Sequence, residues 1–254
     1  MWAQGDYPAV ARLLEPCAVA LADICNIRLG MRVLDVAAGT GNFALAAAAR
    51  GAEVTAVDLT PHMIELGRAR TEVAGVEIVW LEGDAEELPS PDAGFDLVAS
   101  VFGAMFAPRP DRVAAEMFRV CRDGGRVAMA NYNHDGFLGS MADLFSRYTT
   151  PLSFELPSPF EWGEPSVVER RFSDLASDLE IQMDTLTMSF EGVDAGFDFW
   201  ERTNAPTIAL RATVPADRYA EFQRDAKELM ARLNSATDGS LVLTSSYVRV
   251  LARR

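Results

Sequence analysis

The chain has 254 residues, 49% hydrophobic and 24% charged, with 23 Lys and Arg against 37 Asp and Glu, a net charge of −14. These proportions suit a globular protein that buries a core without disulfide staples, and they exclude a collagen, a low-complexity linker and a disordered tail. So acidic a chain is repelled by phosphate backbones and anionic lipid, and the basic pairs Arg170–Arg171 and Arg253–Arg254 are too small to reverse that. Neither nucleic acid nor a membrane is expected as a partner.

The first residues, Met1–Tyr7, have no basic region and no apolar region of the kind that makes a signal peptide. No apolar run is long enough to span a bilayer. A cytoplasmic location is the expectation. Cys17, Cys25 and Cys121 are odd in number and lack a CxxC pair, which argues against a disulfide framework and a zinc site. Buried, reduced thiols are expected.

After an N-terminal helix, the first half alternates strand and helix. Arg32–Ala37 is a short β-branched run followed by a Gly-rich turn, and the Ala-rich Phe43–Arg50 reads as a helix. Glu53–Asp58 is a second strand. Pro61 suits the first helical turn, with Thr60 as N-cap and the helix running on towards Glu72. Val76–Leu81 and Phe95–Val101 are strands three and four. Asp111–Cys121 is helical by its apolar spacing. Asp123-Gly124-Gly125 reads as a turn and Arg126–Asn131 as a fifth strand. Such alternation predicts a parallel sheet covered on both faces.

The second half differs. Phe137–Tyr148 reads as a helix, Pro151–Pro165 as irregular because of its four prolines, and Val167–Leu175 as a short helix. Glu180–Glu191 alternates apolar and polar residues, as a half-buried antiparallel strand does. Asp194–Asn204 and Pro215–Asn234 read as helices, and Leu241–Leu251 as a last strand. One domain is expected, with residues 1–132 forming the core and residues 133–254 a helical cap plus the last two strands.

The chemistry concentrates in Val33-Leu34-Asp35-Val36-Ala37-Ala38-Gly39-Thr40-Gly41-Asn42. A strand ends, a Gly-x-Gly turn follows and a helix opens, which lets backbone approach a ligand closely. A Gly-x-Gly turn alone is weak evidence. Asp58 strengthens it, because an acid at the end of the second strand can accept both hydroxyls of a ribose. Asp35 then separates two kinds of nucleoside ligand. An acid just before the turn repels a pyrophosphate but suits a ligand end carrying an ammonium and a sulfonium, as in S-adenosylmethionine. Asp35 and Asp84 acting only as turn caps is the bland alternative.

Residues 31–132 resemble the class I S-adenosylmethionine-dependent methyltransferases, in the small-molecule branch called methyltransferase type 11 or ubiquinone-biosynthesis-like. The stretches that carry the resemblance are Leu34–Gly41, Val57–Pro61, Glu82–Pro89, Phe95–Ser100 and Cys121–Arg126. It implies a Rossmann-like α/β fold whose mostly parallel seven-stranded sheet has an antiparallel last strand. It also implies that Ala37, Gly39 and Gly41 line the methionine and ribose of the cofactor, and that Leu59 packs on the adenine. Asp84 and the Ala85 amide would meet the adenine edge, and the Ser100 carbonyl would hold the methionine ammonium.

His134, in Asn131-Tyr132-Asn133-His134-Asp135, follows the fifth strand, where many relatives have Trp-Thr-Pro-Glu. It is the candidate general base, against the alternative of a solvated loop histidine. Tyr7 is a candidate to fold over the ligands. Phe102, Met105 and Phe106, which follow the fourth strand, are the best candidates for an apolar acceptor pocket. The expected reaction is O- or C-methylation of a small, largely apolar acceptor in secondary or specialised metabolism, without a metal, by a monomer or homodimer. The alternatives are the same fold using the cofactor without methyl transfer, and a non-catalytic nucleoside-binding partner protein.

Overall fold

The structure, a computed structural model, describes residues 5–149 and 156–254. Two compact units make up the chain. The larger holds Leu14–Tyr132, Pro157–Asp184 and Tyr247–Arg254, and the smaller Met1–Leu13, Asn133–Leu156 and Thr185–Ser246. The expected irregular stretch from Pro151 lies in part outside the described residues.

The larger unit is built on the sheet. Its strands are β1 (Arg32–Val36), β2 (Glu53–Asp58), β3 (Ile78–Glu82), β4 (Phe95–Val101), β5 (Cys121–Gly136), β6 (Asp178–Phe190) and β7 (Leu241–Arg253). The order across the sheet is β3-β2-β1-β4-β5-β7-β6. β1 pairs parallel with β2 on one side, Val33 opposite Val54, and with β4 on the other, Leu34 opposite Val98. A strand flanked on both edges and covered on both faces has no room for polar alternation, which is why β1 is buried after Arg32 and reads as an apolar run. β5-β7-β6 form the antiparallel side of an otherwise parallel sheet, which is the Rossmann-like methyltransferase architecture.

Helices α2 (Asn42–Ala48) and α3 (Pro61–Ala74) follow β1 and β2, and α4 (Pro110–Val120) follows β4. Pro61 and Pro110 open their helices, where proline loses no hydrogen bond, and Gly75 ends α3 at φ +65°. α4 buries Val113, Ala114, Met117 and Phe118, the stripe its spacing marks. Preceding these is α1 (Tyr7–Ile24), which crosses from the smaller unit into the larger.

The smaller unit is mainly helical: α5 (Phe137–Ser146), α7 (Val193–Thr203), α8 (Ala205–Thr213) and α9 (Ala216–Leu233). Phe222 of α9 is fully buried, with Phe145 4.9 Å and Tyr148 5.5 Å from it between ring centres. α6 (Pro165–Phe172) belongs to the larger unit.

Several expected boundaries move. Asp123-Gly124-Gly125 lies within β5 and does not end before it. Between the pairs Phe95–Cys121 and Leu97–Arg126 the register shifts, so residues 122–125 bulge out of the strand, with Gly124 at φ +70°. Within the proline-rich stretch, Pro159–Gly163 makes a short 3-10 helix capped by the Ser158 hydroxyl. α8 is a helix absent from the sequence reading. Its β-branched residues hide it, yet its signal is local: Asn204 Oδ1 accepts from Thr207 N at 3.1 Å and Thr207 Oγ1 at 2.9 Å, and Pro206 sits in the first turn.

Candidate active site

The Gly-rich turn is forced into left-handed backbone. Ala37 has φ +53°, Gly39 +56° and Gly41 +83°. Gly41 is the N-cap of α2 and has no side chain with which to accept a helix amide. Asp35, 1% exposed, supplies that acceptor from β1: its Oδ2 takes the Ala44 N–H at 2.9 Å. Burial pushes its carboxyl up to about 8; the Ala44 amide opposes this, and the nearby Asp58 charge adds to it. A helix N-terminus alone favours an anion, so desolvation outweighs it here.

Asp58 serves the same turn. Its Oδ2 accepts from Gly39 N at 2.7 Å and its Oδ1 from Thr60 N at 2.8 Å. Burial raises its pKa, and the two amides pull it back. Each of its oxygens therefore holds a backbone amide, one on each side of the crevice, beyond the ribose contact expected of it. Asp84 likewise accepts from the Glu86 amide, at 2.9 Å. The turn-cap hydrogen bonds are thus all made. They leave a second lone pair on each carboxylate oxygen.

Ala85 is buried and Leu59 is 63% exposed at the end of β2. Ser100 is fully buried, and its hydroxyl donates to Val36 O at 2.8 Å and accepts from Ala104 N at 3.1 Å. It ties the end of β1 to the 3-10 helix Ala104–Phe106. Gly103 allows that approach, because a Cβ there would stand 2.7 Å from the Ala37 Cβ. Phe102 has φ +56°, stacks on Tyr132 with centres 3.9 Å apart, and meets Tyr247 edge-on at 5.5 Å. Met105 is buried and Phe106 is 42% exposed. All of these, with the turn, belong to the larger unit. Tyr7, which opens α1, and His134 belong to the smaller. His134 Nε2 lies 3.1 Å from Asp143 Oδ1 of α5, both side chains well exposed.

Three features have no counterpart in the sequence reading. Arg70 of α3 reaches the Gly-rich turn. Glu86, 2% exposed, takes the Arg109 backbone N–H and its guanidinium, at 2.5 and 2.6 Å. Asn131, 1% exposed near the carboxyl end of the sheet, has neither polar atom of its side chain hydrogen-bonded. No short motif marks Arg70 or Glu86, since each acts on residues distant in sequence, and the isolation of Asn131 is visible only once its surroundings are packed.

The residues fit a cationic nucleoside. Two buried acids stand at the turn, with backbone amides but, among the described residues, no basic side chain hydrogen-bonded to either. A cation beside these carboxyls favours their ionised form, whereas a pyrophosphate would be repelled by it. Residues 33–125 match the family model described as a methyltransferase domain. An uncharacterised protein of Mycobacterium tuberculosis, Rv1403c, is 41% identical over 210 residues, spanning 82% of this chain and 77% of that one. The chain belongs to the class I S-adenosylmethionine-dependent methyltransferases. A demethylmenaquinone methyltransferase of Thermus thermophilus is 39% identical over 112 residues, 43% of this chain and 51% of the relative. The crystal structure of YcgJ from Bacillus subtilis superimposes with a TM-score of 0.62 at 24% identity, covering 94% of this chain and 99% of that one. Among the described residues no cluster of three or more His, Cys, Asp or Glu could hold a metal ion, and no helix is long and apolar enough to cross a membrane.

Proposed function

We propose that this methyltransferase modifies a small, largely apolar acceptor at oxygen or carbon, in specialised metabolism and in the cytoplasm. The observation that carries the acceptor class is the apolar group after β4: Phe102 stacked on Tyr132, then Met105 and the exposed Phe106. A charged amine placed there would lose hydration against aromatic and thioether surface. The name of the Thermus thermophilus relative, demethylmenaquinone methyltransferase, points to a quinone and so in the same direction.

The bound cofactor supplies a methyl group on a positively charged sulfur, which needs little further activation. Asp58, Leu59, Asp84 and Ala85 would hold its nucleoside, and Asp35, Ala37, Gly39, Gly41 and the Ser100 carbonyl its amino-acid end. The chain's task is then alignment, which supplies several kcal/mol of a barrier when reacting atoms are held in line. For a hydroxyl acceptor, His134 is the base in this proposal, and the Asp143 carboxylate at 3.1 Å orients its ring.

The test is methyl transfer from methyl-tritiated S-adenosylmethionine to phenols, quinols and amines, with product masses. Transfer to phenols or quinols is expected. Transfer to charged amines alone overturns the acceptor class. With a phenolic acceptor, His134→Asn should lower turnover by about a hundredfold or more and leave cofactor affinity unchanged. A loss below tenfold removes His134 from the reaction.

A further inference from the structure

We propose that Arg70 is a positioning residue for the cofactor, holding the Gly-rich turn in its binding shape before the ligand arrives. This rests on the cofactor assignment above. Arg70 lies in α3, on a different βα unit from the turn it touches. Its Nη1 is 3.0 Å from Thr40 O, 2.8 Å from Thr40 Oγ1 and 2.8 Å from Asn42 Oδ1. Thr40 is 1% exposed, while Arg70 and Asn42 are half-buried, so these contacts are partly shielded from water.

The turn is thereby held by opposite charges at two peptides, Ala38–Gly39 and Thr40–Gly41, with one peptide between them. The Asp58 carboxylate takes the Gly39 N–H, and the Arg70 guanidinium donates to the carbonyl of the next residue, Thr40. Beneath them lies Trp80 of β3. A Cβ on Gly41 would come within 2.9 Å of its ring, and one on Gly67 of α3 within 2.8 Å of Trp80 Cζ3.

Physical reasoning gives this grip a consequence. Gly39 and Gly41 flank Thr40, and glycine has more backbone freedom to lose than any other residue. A turn with two glycines that is not held must be ordered when ligand binds, and that ordering weakens affinity. A guanidinium that spans Thr40 and Asn42 removes this freedom during folding. Its charge-assisted bonds all come from Nη1, whose two N–H groups are shared among a carbonyl, a hydroxyl and a carboxamide.

The test uses S-adenosylhomocysteine, the full-length protein and calorimetry at a temperature where circular dichroism shows each variant folded. Arg70→Met keeps the packed stem and removes the donors. It should weaken binding about tenfold, as expected when charge-assisted hydrogen bonds that support a site are lost. The loss should appear as a less favourable binding entropy. Arg70→Lys, with one ammonium to donate to Thr40, should recover part of it. Arg68→Ala is the control, since Arg68 donates to the Trp80 carbonyl at 3.2 Å. It should leave binding as in the parent. Parent-like affinity in Arg70→Met, an equal loss in Arg68→Ala, or a loss with unchanged entropy overturns the positioning role. Absence of binding heat in the parent overturns the cofactor assignment, and this role with it.

Discussion

Asp35→Asn removes the ionisable carboxyl that the site keeps buried. The variant retains an oxygen to accept the Ala44 N–H, now made by Asp35 Oδ2 at 2.9 Å, but has no proton to lose. In the folded parent the carboxyl is pushed up to about 8 from an ordinary value of 3.8, mainly by burial. Between those values the folded chain keeps a proton that the unfolded chain releases, so stability falls as pH rises through that window and levels off above it. At about 1.36 kcal/mol per unit, the loss accumulated by pH 7 is of the order of 4 kcal/mol. For a chain of this size each kcal/mol moves Tm by roughly 2–4 °C. Urea and thermal denaturation of parent and variant from pH 5 to 8.5 should therefore give diverging curves, the variant's being flatter. The amide's new N–H group needs its own partner and offsets about 1–3 kcal/mol of the gain, without altering the slope. A cationic ligand favours the ionised carboxyl, so calorimetry of the parent at pH 7 should show proton release on binding S-adenosylmethionine, read as a dependence of the heat on buffer ionisation enthalpy. Asp35→Asn should abolish that release and weaken binding. Parallel stability–pH curves, or buffer-independent heats in the parent, refute the reasoning.

Asp58→Ala frees the Gly39 and Thr60 amides and removes the expected ribose acceptor. Cofactor affinity should fall roughly ten- to hundredfold by calorimetry, about 1.5–3 kcal/mol for a charged hydrogen bond. Unchanged affinity would exclude the contact. Asn131→Leu removes two buried polar atoms that have no partner, so urea denaturation should show a gain of about 1–3 kcal/mol, whereas a loss would mean that the amide is solvated or bonded in solution. Ala37→Gly relieves an L-residue at φ +53° and should raise stability by about 1 kcal/mol, provided the added backbone freedom of the unfolded chain does not offset it; a lower Tm would count against strain at Ala37.

Much of the larger unit is legible in sequence because its signals are local. Phe95–Val101 is the same strand in both readings, since a buried parallel strand must be continuously apolar. Pro61 marks a helix start because proline loses nothing in a first turn. Asp35, the Gly-x-Gly turn and Asp58 indicate a cationic nucleoside ligand by charge and spacing alone. The bulge at residues 122–125 is not readable, because Asp-Gly-Gly makes a turn and a strand bulge equally well, and only pairing with β4 decides. The partners of the site residues are likewise decided by the tertiary structure. Asp58 holding Gly39, Arg70 holding Thr40 and Glu86 holding Arg109 join residues 19, 30 and 23 positions apart. Side-chain charge and hydrogen-bonding capacity are properties of single residues and can be read from the chain. Which backbone atom each one meets depends on how β1, β2 and α3 are packed, and no local pattern encodes that.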